Sequence, residues 1–341
     1  MPNPDFNRLK KVLLRLGEPD RIPFFEILAD EEILQKATGV DSYPENAVEF
    51  FYRFGYDHVP MGMRIPYQLP VIKTADTAEL AREKREFYDE NMGVINNRGD
   101  FESYRWPEIN TGLLENIIKT ISILPGGMKV TPRFRGVFEI LSYLMGLVPL
   151  SYSLYDDPRL VEDIIEKLGN DMLALIKLSI RELDPGKTGA FILCEDMGYI
   201  TGTMMDPEFL RKYIFPWEKK AVDLIHDHDF PAILHSCGNL SAVMDDLIDY
   251  VGFDAKHSFE DKTLPVAEAK KKYGDRIAIL GGVDMNALST FEEGDLRSYV
   301  RGILENCAPG GGYALGAGNS LANCVPLKNI RIMLDEGGKY R

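Results

Sequence analysis

Eight short apolar stretches begin near residues 22, 57, 128, 190, 231, 253, 277 and 312, and helix-forming segments lie between successive ones. This alternation constrains the chain more than any other feature. Strands joined through helices pair in parallel, and eight of them can close on themselves without leaving two edges. The rival arrangement is an open doubly wound sheet, whose usual marker is a glycine-rich phosphate loop after an early strand. Neither G-x-G-x-x-G nor G-x-x-x-x-G-K-[ST] occurs. The expected fold is an α/β (β/α)8 TIM barrel in a single domain, residues 1–341, with an N-terminal helical segment and a partly β excursion at about 66–110.

The local signals follow the same plan. Phe6 to Leu16 reads as an amphipathic helix with Leu9, Val12, Leu13 and Leu16 on one face. Arg21 to Leu28 reads as a buried strand that contains Glu26. Asp157-Pro158 marks a helix start, with the aspartate as cap and the proline in the first turn. Pro207 to His228 reads as one long helix with a kink or break at Pro216, and Leu240 to Tyr250 as a helix.

Composition limits what such a chain does. A net charge of −14 argues against nucleic-acid binding, which needs a basic footprint, and against polyanionic substrates unless arginines are locally concentrated. Four cysteines make no disulfide framework and suit thiols in a reducing compartment, so a cytoplasmic enzyme is expected. The N-terminus lacks the basic-then-apolar pattern of a signal peptide, and no apolar run approaches a membrane span.

The chemistry concentrates where the strands should end, which is where barrels of this kind carry their sites. These positions hold Glu26, Arg64, Arg133, Arg135, Glu195, Asp196, His235, Cys237, His257, Glu260, Asp284 and the stretch Asn319 to Cys324. The centre of the pattern is Ala232-Ile-Leu-His-Ser-Cys-Gly238. In an extended strand His235 and Cys237 face the same side. Imidazole and thiolate are preferred zinc ligands, and Cys324, in a Gly/Asn-rich loop, is the expected third. A small buried cysteine beside a satisfied core histidine would give the same pattern. Glu195, Asp196 and Asp284 are the expected catalytic carboxylates, though each also fits a cap or turn. Either Glu195 or Asp196 could add a fourth metal ligand. If Glu195 faces the pocket, Cys194 must face the helices. Glu26, Tyr199, His257 and Asn319 complete the set as substrate-binding residues.

Read in order, Cys194-Glu-Asp-Met-Gly-Tyr199, Asp206-Pro207, His235-Ser-Cys-Gly-Asn239, Tyr273-Gly-Asp-Arg276, Gly281-Gly-Val-Asp284 and Gly310-Gly-Gly-Tyr313 resemble the uroporphyrinogen decarboxylase superfamily, and within it the cobalamin-linked methyltransferases. That branch carries a zinc motif of the form His-x-Cys with a distant Cys, which His235, Cys237 and Cys324 match. The resemblance implies a (β/α)8 barrel and methyl transfer between a corrinoid, usually on a separate protein, and a small donor or acceptor such as the thiol coenzyme M. It implies zinc and methylcobalamin as cofactors. True decarboxylases carry an arginine-rich motif after the first strand, where this chain has the acidic Glu26-Ile-Leu-Ala-Asp-Glu-Glu-Ile33, and a catalytic aspartate where it has Met61-Gly-Met-Arg64. Decarboxylation is therefore the second expectation. Corrinoid-dependent O-demethylation and a non-catalytic corrinoid- or partner-binding barrel are the others.

Overall fold

The computed structural model describes residues 3–340 apart from 77, 79, 81–83, 90 and 91. Among these residues the strands are β1 His58–Gly62, β2 Val71–Ala75, β3 Lys84–Tyr88, β4 Lys129–Arg135, β5 Phe191–Cys194, β6 Ala232–His235, β7 Ala255–His257, β8 Ala278–Leu280 and β9 Tyr313–Ala314. β1, β4, β5, β6, β7, β8 and β9 pair in that order, all parallel, into one curled sheet with helices outside. β2 and β3 form a separate antiparallel pair, which is the β part of the expected excursion.

The first of the eight expected strands is the irregular one. Phe25 N donates to Leu315 O at 2.9 Å and Leu315 N to Pro23 O at 3.0 Å, so the segment continues the ladder beyond β9. It stays at the level of isolated bridges, Phe24 with Leu315 and Ala29 with Leu321. Pro23 has no N–H to give. Toward β1 the described contacts are made by side chains. The Phe25 ring stacks on His58 at 4.9 Å, and Tyr56 Oη donates to Glu26 Oε1 at 3.3 Å. The ring is thus closed by backbone hydrogen bonds on one side of this segment and by side-chain contacts on the other.

Inside the ring, Ala190, Ala255, Ala278 and Ala314 leave room for Ile192, Ile233 and Leu280, and all are buried. The helix Phe6–Leu13 closes the amino end of the strands. Its Phe6, Leu9, Val12 and Leu13 join this inner cluster, each contributing about 1.5–3 kcal/mol by leaving water. Arg8 on the same helix pairs with buried Asp57 at 2.7 Å. With that end plugged, the carboxyl ends of the strands remain open for a site.

Asp157 caps the helix Pro158–Glu182 by accepting from Leu160 N at 3.0 Å, as its sequence predicts. The helix expected from Pro207 to His228 is interrupted. A short turn Pro207–Phe209 passes into a wide π-helical turn, Leu210–Ile214, before Phe215–His226 resumes. Pro216 lacks the N–H that an unbroken helix would use. The stretch from Leu240 is likewise not one α-helix: it turns, then forms the wide segment Asp246–Val251. No single helix among the described residues is long and apolar enough to cross a membrane.

Candidate metal centre at the carboxyl ends of the strands

Strand register assembles the site. Cys194 pairs with His235, and His235 with His257, so the three stand in one row across β5, β6 and β7. Residues in register on neighbouring strands share a face. Cys194 belongs to the inner cluster, so this row points inward. Two residues further along, Asp196 and Cys237 point the same way. Beyond Cys237 the chain turns at Gly238, with φ +77° and so close to Gly198 that a Cβ would overlap its carbonyl.

The same register turns Glu195 away from the pocket, which reverses the facing considered for Cys194 and Glu195. Glu195 is fully buried among the helices, where its Oε1 accepts from Glu139 N at 2.5 Å at the start of the helix Val137–Met145. Gly136 is required there, because a Cβ would collide with the Glu195 carboxylate. The alternation along β5 is as expected; its phase is opposite.

A chain of hydrogen bonds sets the protonation of the histidines. The Ala317 carbonyl can only accept, and it lies 3.1 Å from His257 Nε2, so that nitrogen carries the proton. Neutral His257 then offers the lone pair of Nδ1 to His235 Nδ1, 2.8 Å away, which must donate. His235 Nε2 is left bare. It faces Cys237 Sγ at 3.7 Å. Burial keeps both rings neutral, lowering the pKa of His235 to about 3 and that of His257 well below the usual imidazole value. The Cys237 thiol is raised, first by burial and then by the charge of Asp196. Asp196 Oδ1 accepts from Cys237 N at 2.8 Å, and Asn319 Nδ2 bridges Cys237 Sγ at 3.2 Å and Glu260 Oε1 at 3.0 Å.

This arrangement suits zinc. Ligand atoms of Asp196, His235 and Cys237 all lie within 4.8 Å of one another. Two ligands of one tetrahedral zinc, at ~2.1 Å for nitrogen and ~2.3 Å for sulfur, stand ~3.6 Å apart. The 3.7 Å between His235 Nε2 and Cys237 Sγ matches that span. A second hydrogen bond that orients a ligating imidazole is the usual support for such a centre, and His257 makes it.

The other expected residues are placed as follows. Cys324 is exposed and outside this group, so the structure does not bring it to His235 and Cys237. Asp284 caps the short helix Met285–Thr290, accepting from Asn286 N at 2.9 Å and Ala287 N at 3.2 Å, and its other oxygen accepts from Asp261 N at 3.1 Å. Glu26 is buried in the wall, accepting from Tyr56 Oη and, at 3.0 Å, from Ala317 N. It therefore braces the same residue whose carbonyl anchors His257. Tyr199 is exposed on the loop after β5, where its carbonyl accepts from Asn239 N at 2.7 Å. A cavity of about 160 Å³ over the centre is lined by Cys194, Asp196, His235, Arg64, Arg133 and Arg135 among others.

The sequence profile described as uroporphyrinogen decarboxylase (URO-D) matches residues 91–340. The chain belongs to the uroporphyrinogen decarboxylase family. Within the URO-D family it is similar to uroporphyrinogen decarboxylase of Actinobacillus succinogenes, 24% identical over 193 residues, covering 55% of this chain and 50% of that protein. It is also similar to the methylcobamide:CoM methyltransferase MtaA of Methanosarcina barkeri, 26% identical over 137 residues, 40% of this chain and 38% of that protein. The chain thus spans about half the length, or less, of these curated relatives. A solved methyltransferase from Methanosarcina mazei shares the fold with a TM-score of 0.73 at 14% identity, covering 98% of both chains.

In this URO-D barrel two buried groups escape sequence reading. Glu218, on the helix Phe215–His226, is fully buried next to Glu195, and neither of its carboxylate oxygens has a hydrogen-bond partner among the described residues. Lys256 on β7 is buried and donates to the carbonyls of Ser236 at 3.1 Å and Ser258 at 2.8 Å, tying together the chain just beyond β6 and β7. Glu218 sits at an ordinary helical position, so nothing local marks it. Lys256 does carry a signal: it is a charge between two inward residues of a short buried strand.

Proposed function

We propose that this protein is a zinc-dependent methyltransferase acting with a corrinoid, and that zinc is held by His235 Nε2, Cys237 Sγ and Asp196. The observation that carries the reading is the bare His235 Nε2, fixed by the His257–Ala317 relay and held 3.7 Å from Cys237 Sγ. When bound, zinc supplies the Lewis acidity that activates a thiol or a methyl-bearing group at neutral pH. The chain's own residues do the rest. His257 keeps the proton of His235 on Nδ1, so that Nε2 stays available. The Asn319 amide donates to the Cys237 sulfur and stabilises its anionic form. Asp196 holds the Cys237 backbone in place through its N–H. The working unit is a single barrel domain in a reducing cytoplasm. Its partners are a corrinoid protein and a small methyl donor or acceptor, possessing a thiol in the transfer to coenzyme M or a methoxyl group in O-demethylation.

Metal content of the purified protein tests the centre. About one zinc per chain is expected, lost in His235→Ala and in Cys237→Ala. Cys324→Ser separates two ligand sets: zinc retained supports Asp196 as the third donor, and zinc lost supports Cys324, carried in by its loop. A reduced, folded wild type that takes up no zinc sinks the proposal. Turnover follows from the absorbance change of methylcobalamin on adding thiols, and its absence in a zinc-loaded protein would favour a binding role.

Decarboxylation is the second reading. The three arginines gathered at the cavity, Arg64, Arg133 and Arg135, favour it, because a carboxylate-bearing substrate needs such cations. Loss of carboxyl groups from uroporphyrinogen by the metal-free protein, unaffected by Cys237→Ala, would establish it.

A further inference from the structure

A second cavity, of about 310 Å³, adjoins the first. Met63, Arg64 and Arg135 line both, so the two adjoin across a charged neck. Beyond the neck the wall is mostly apolar, made by Ile65, Leu69, Ile140, Leu168, Met172 and Leu175, with Tyr67 as its polar member. Its volume lies near the lower end of the ~300–1,000 Å³ typical of small-molecule sites.

The neck is poised for an anion. Arg135 is already neutralised by Glu139, 3.1 Å away, and its guanidinium stacks on Tyr143. Among the described residues Arg64 and Arg133 make no ion pair within 4 Å; Arg133, which lines the first cavity with Arg64, is reached by the Glu139 charge and faces the Cys194 thiol. Arg133 Nε is buried with no hydrogen-bond acceptor among the described residues. A buried guanidinium N–H left unpaired is costly, and an anionic ligand relieves that cost. In a chain of net charge −14, two arginines without an ion pair in one cavity stand against the overall sign.

We propose that this cavity holds the apolar body of the substrate while Arg64 and Arg133 hold its anionic group, so that the substrate is a small organic anion with a ring-sized apolar body. The inference rests on the methyltransferase reading only in placing the reacting group toward His235 and Cys237. A macrocycle bearing many carboxylates is the wrong chemistry for this wall, because the cations are confined to the neck and the first cavity. Met172 and Leu168 set the size of the body accepted.

The test is calorimetric titration of the zinc-loaded protein with 2-naphthalenesulfonate, which joins one fused ring system to one anionic group. Saturable binding at one site per chain is expected. 2-Naphthol, without the charge, should bind about tenfold or more weakly, as should Arg64→Gln and Arg133→Gln with the sulfonate. Met172→Trp should fill the cavity and weaken binding to a similar degree. Leu168→Phe serves as the second filling variant, and circular dichroism verifies the fold of each. No saturable binding to the wild type overturns the proposal, as does binding unchanged in the folded arginine and cavity variants. Zinc content in the same samples separates the two readings. Zinc without the expected binding leaves the metal centre standing and removes this inference. The expected binding pattern in a protein that takes up no zinc does the reverse.

Discussion

Two buried polar clusters lie on opposite faces of the same sheet and are built by opposite rules. On the inner face, His235, His257 and the Ala317 carbonyl form a chain in which each link is donor to acceptor, ending on a nitrogen aimed at Cys237. On the outer face, Glu195 and Glu218 bring two carboxyl groups together, and three of their four oxygens have no hydrogen-bond partner among the described residues. Burial depth does not separate them, since His257, Glu195 and Glu218 are all fully buried. The difference is satisfaction. A complete chain of neutral groups fixes one geometry, and that geometry can serve chemistry. An incomplete pair of acids fixes a protonation state instead, because like charges in a poor solvent cannot both ionise.

The largest effect should come from relieving the outer pair. Burial raises the Glu218 pKa to about 8 from 4.5, and burial with the charge of Glu218 raises that of Glu195. The folded protein therefore holds a proton that the unfolded chain releases. The stability linked to Glu218 is full below about pH 4.5 and is lost as pH rises through about 8. Glu218→Gln should remove this loss, making the variant more stable than wild type at pH 8 by on the order of 3 kcal/mol and much closer to it at pH 5. Urea denaturation at the two pH values measures this. Equal pH dependence in both proteins would mean that the outer pair is not the incomplete cluster described.

Next comes the inner chain. His257→Phe keeps the ring stacking but removes the acceptor for His235 Nδ1. Zinc affinity, measured by competition with a chromogenic chelator, should fall by about 10–100-fold. An unchanged affinity would show that the relay does not orient the ligand.

A smaller effect is expected at Asp284, which belongs to neither cluster. Asp284→Ala removes a helix cap and should cost about 1 kcal/mol of stability while leaving zinc content unchanged. Loss of zinc there would extend the inner cluster to β8. The smallest effect concerns His226, a partly exposed residue whose pKa is raised by its hydrogen bond to Asp254 at 2.8 Å. Its contribution is present below the ordinary histidine value and fades as pH rises through the raised one. His226→Gln should flatten that slope by a few tenths of a kcal/mol. A larger change would place a third titrating cluster at the amino ends of β6 and β7.

Much of this was legible in the chain itself. The alternation of apolar stretches and helices determined the parallel ring, and the two-residue period determined that His235 and Cys237 face together. Asp157-Pro158 announced its helix, because capping depends on adjacent residues alone. What tertiary structure decided was phase and partnership. Periodicity says that Cys194 and Glu195 face opposite ways but not which faces inward. That choice is made by pairing Cys194 with His235 on the next strand, and it put Asp196 in the centre and Glu195 outside. The relay joins His235, His257 and Ala317, residues 22 and 60 positions apart, through the closure of the barrel. Arg64 and Arg133 meet in one cavity for the same reason. Local spacing records the direction of a side chain, while its neighbours across the ring exist only once the strands have packed.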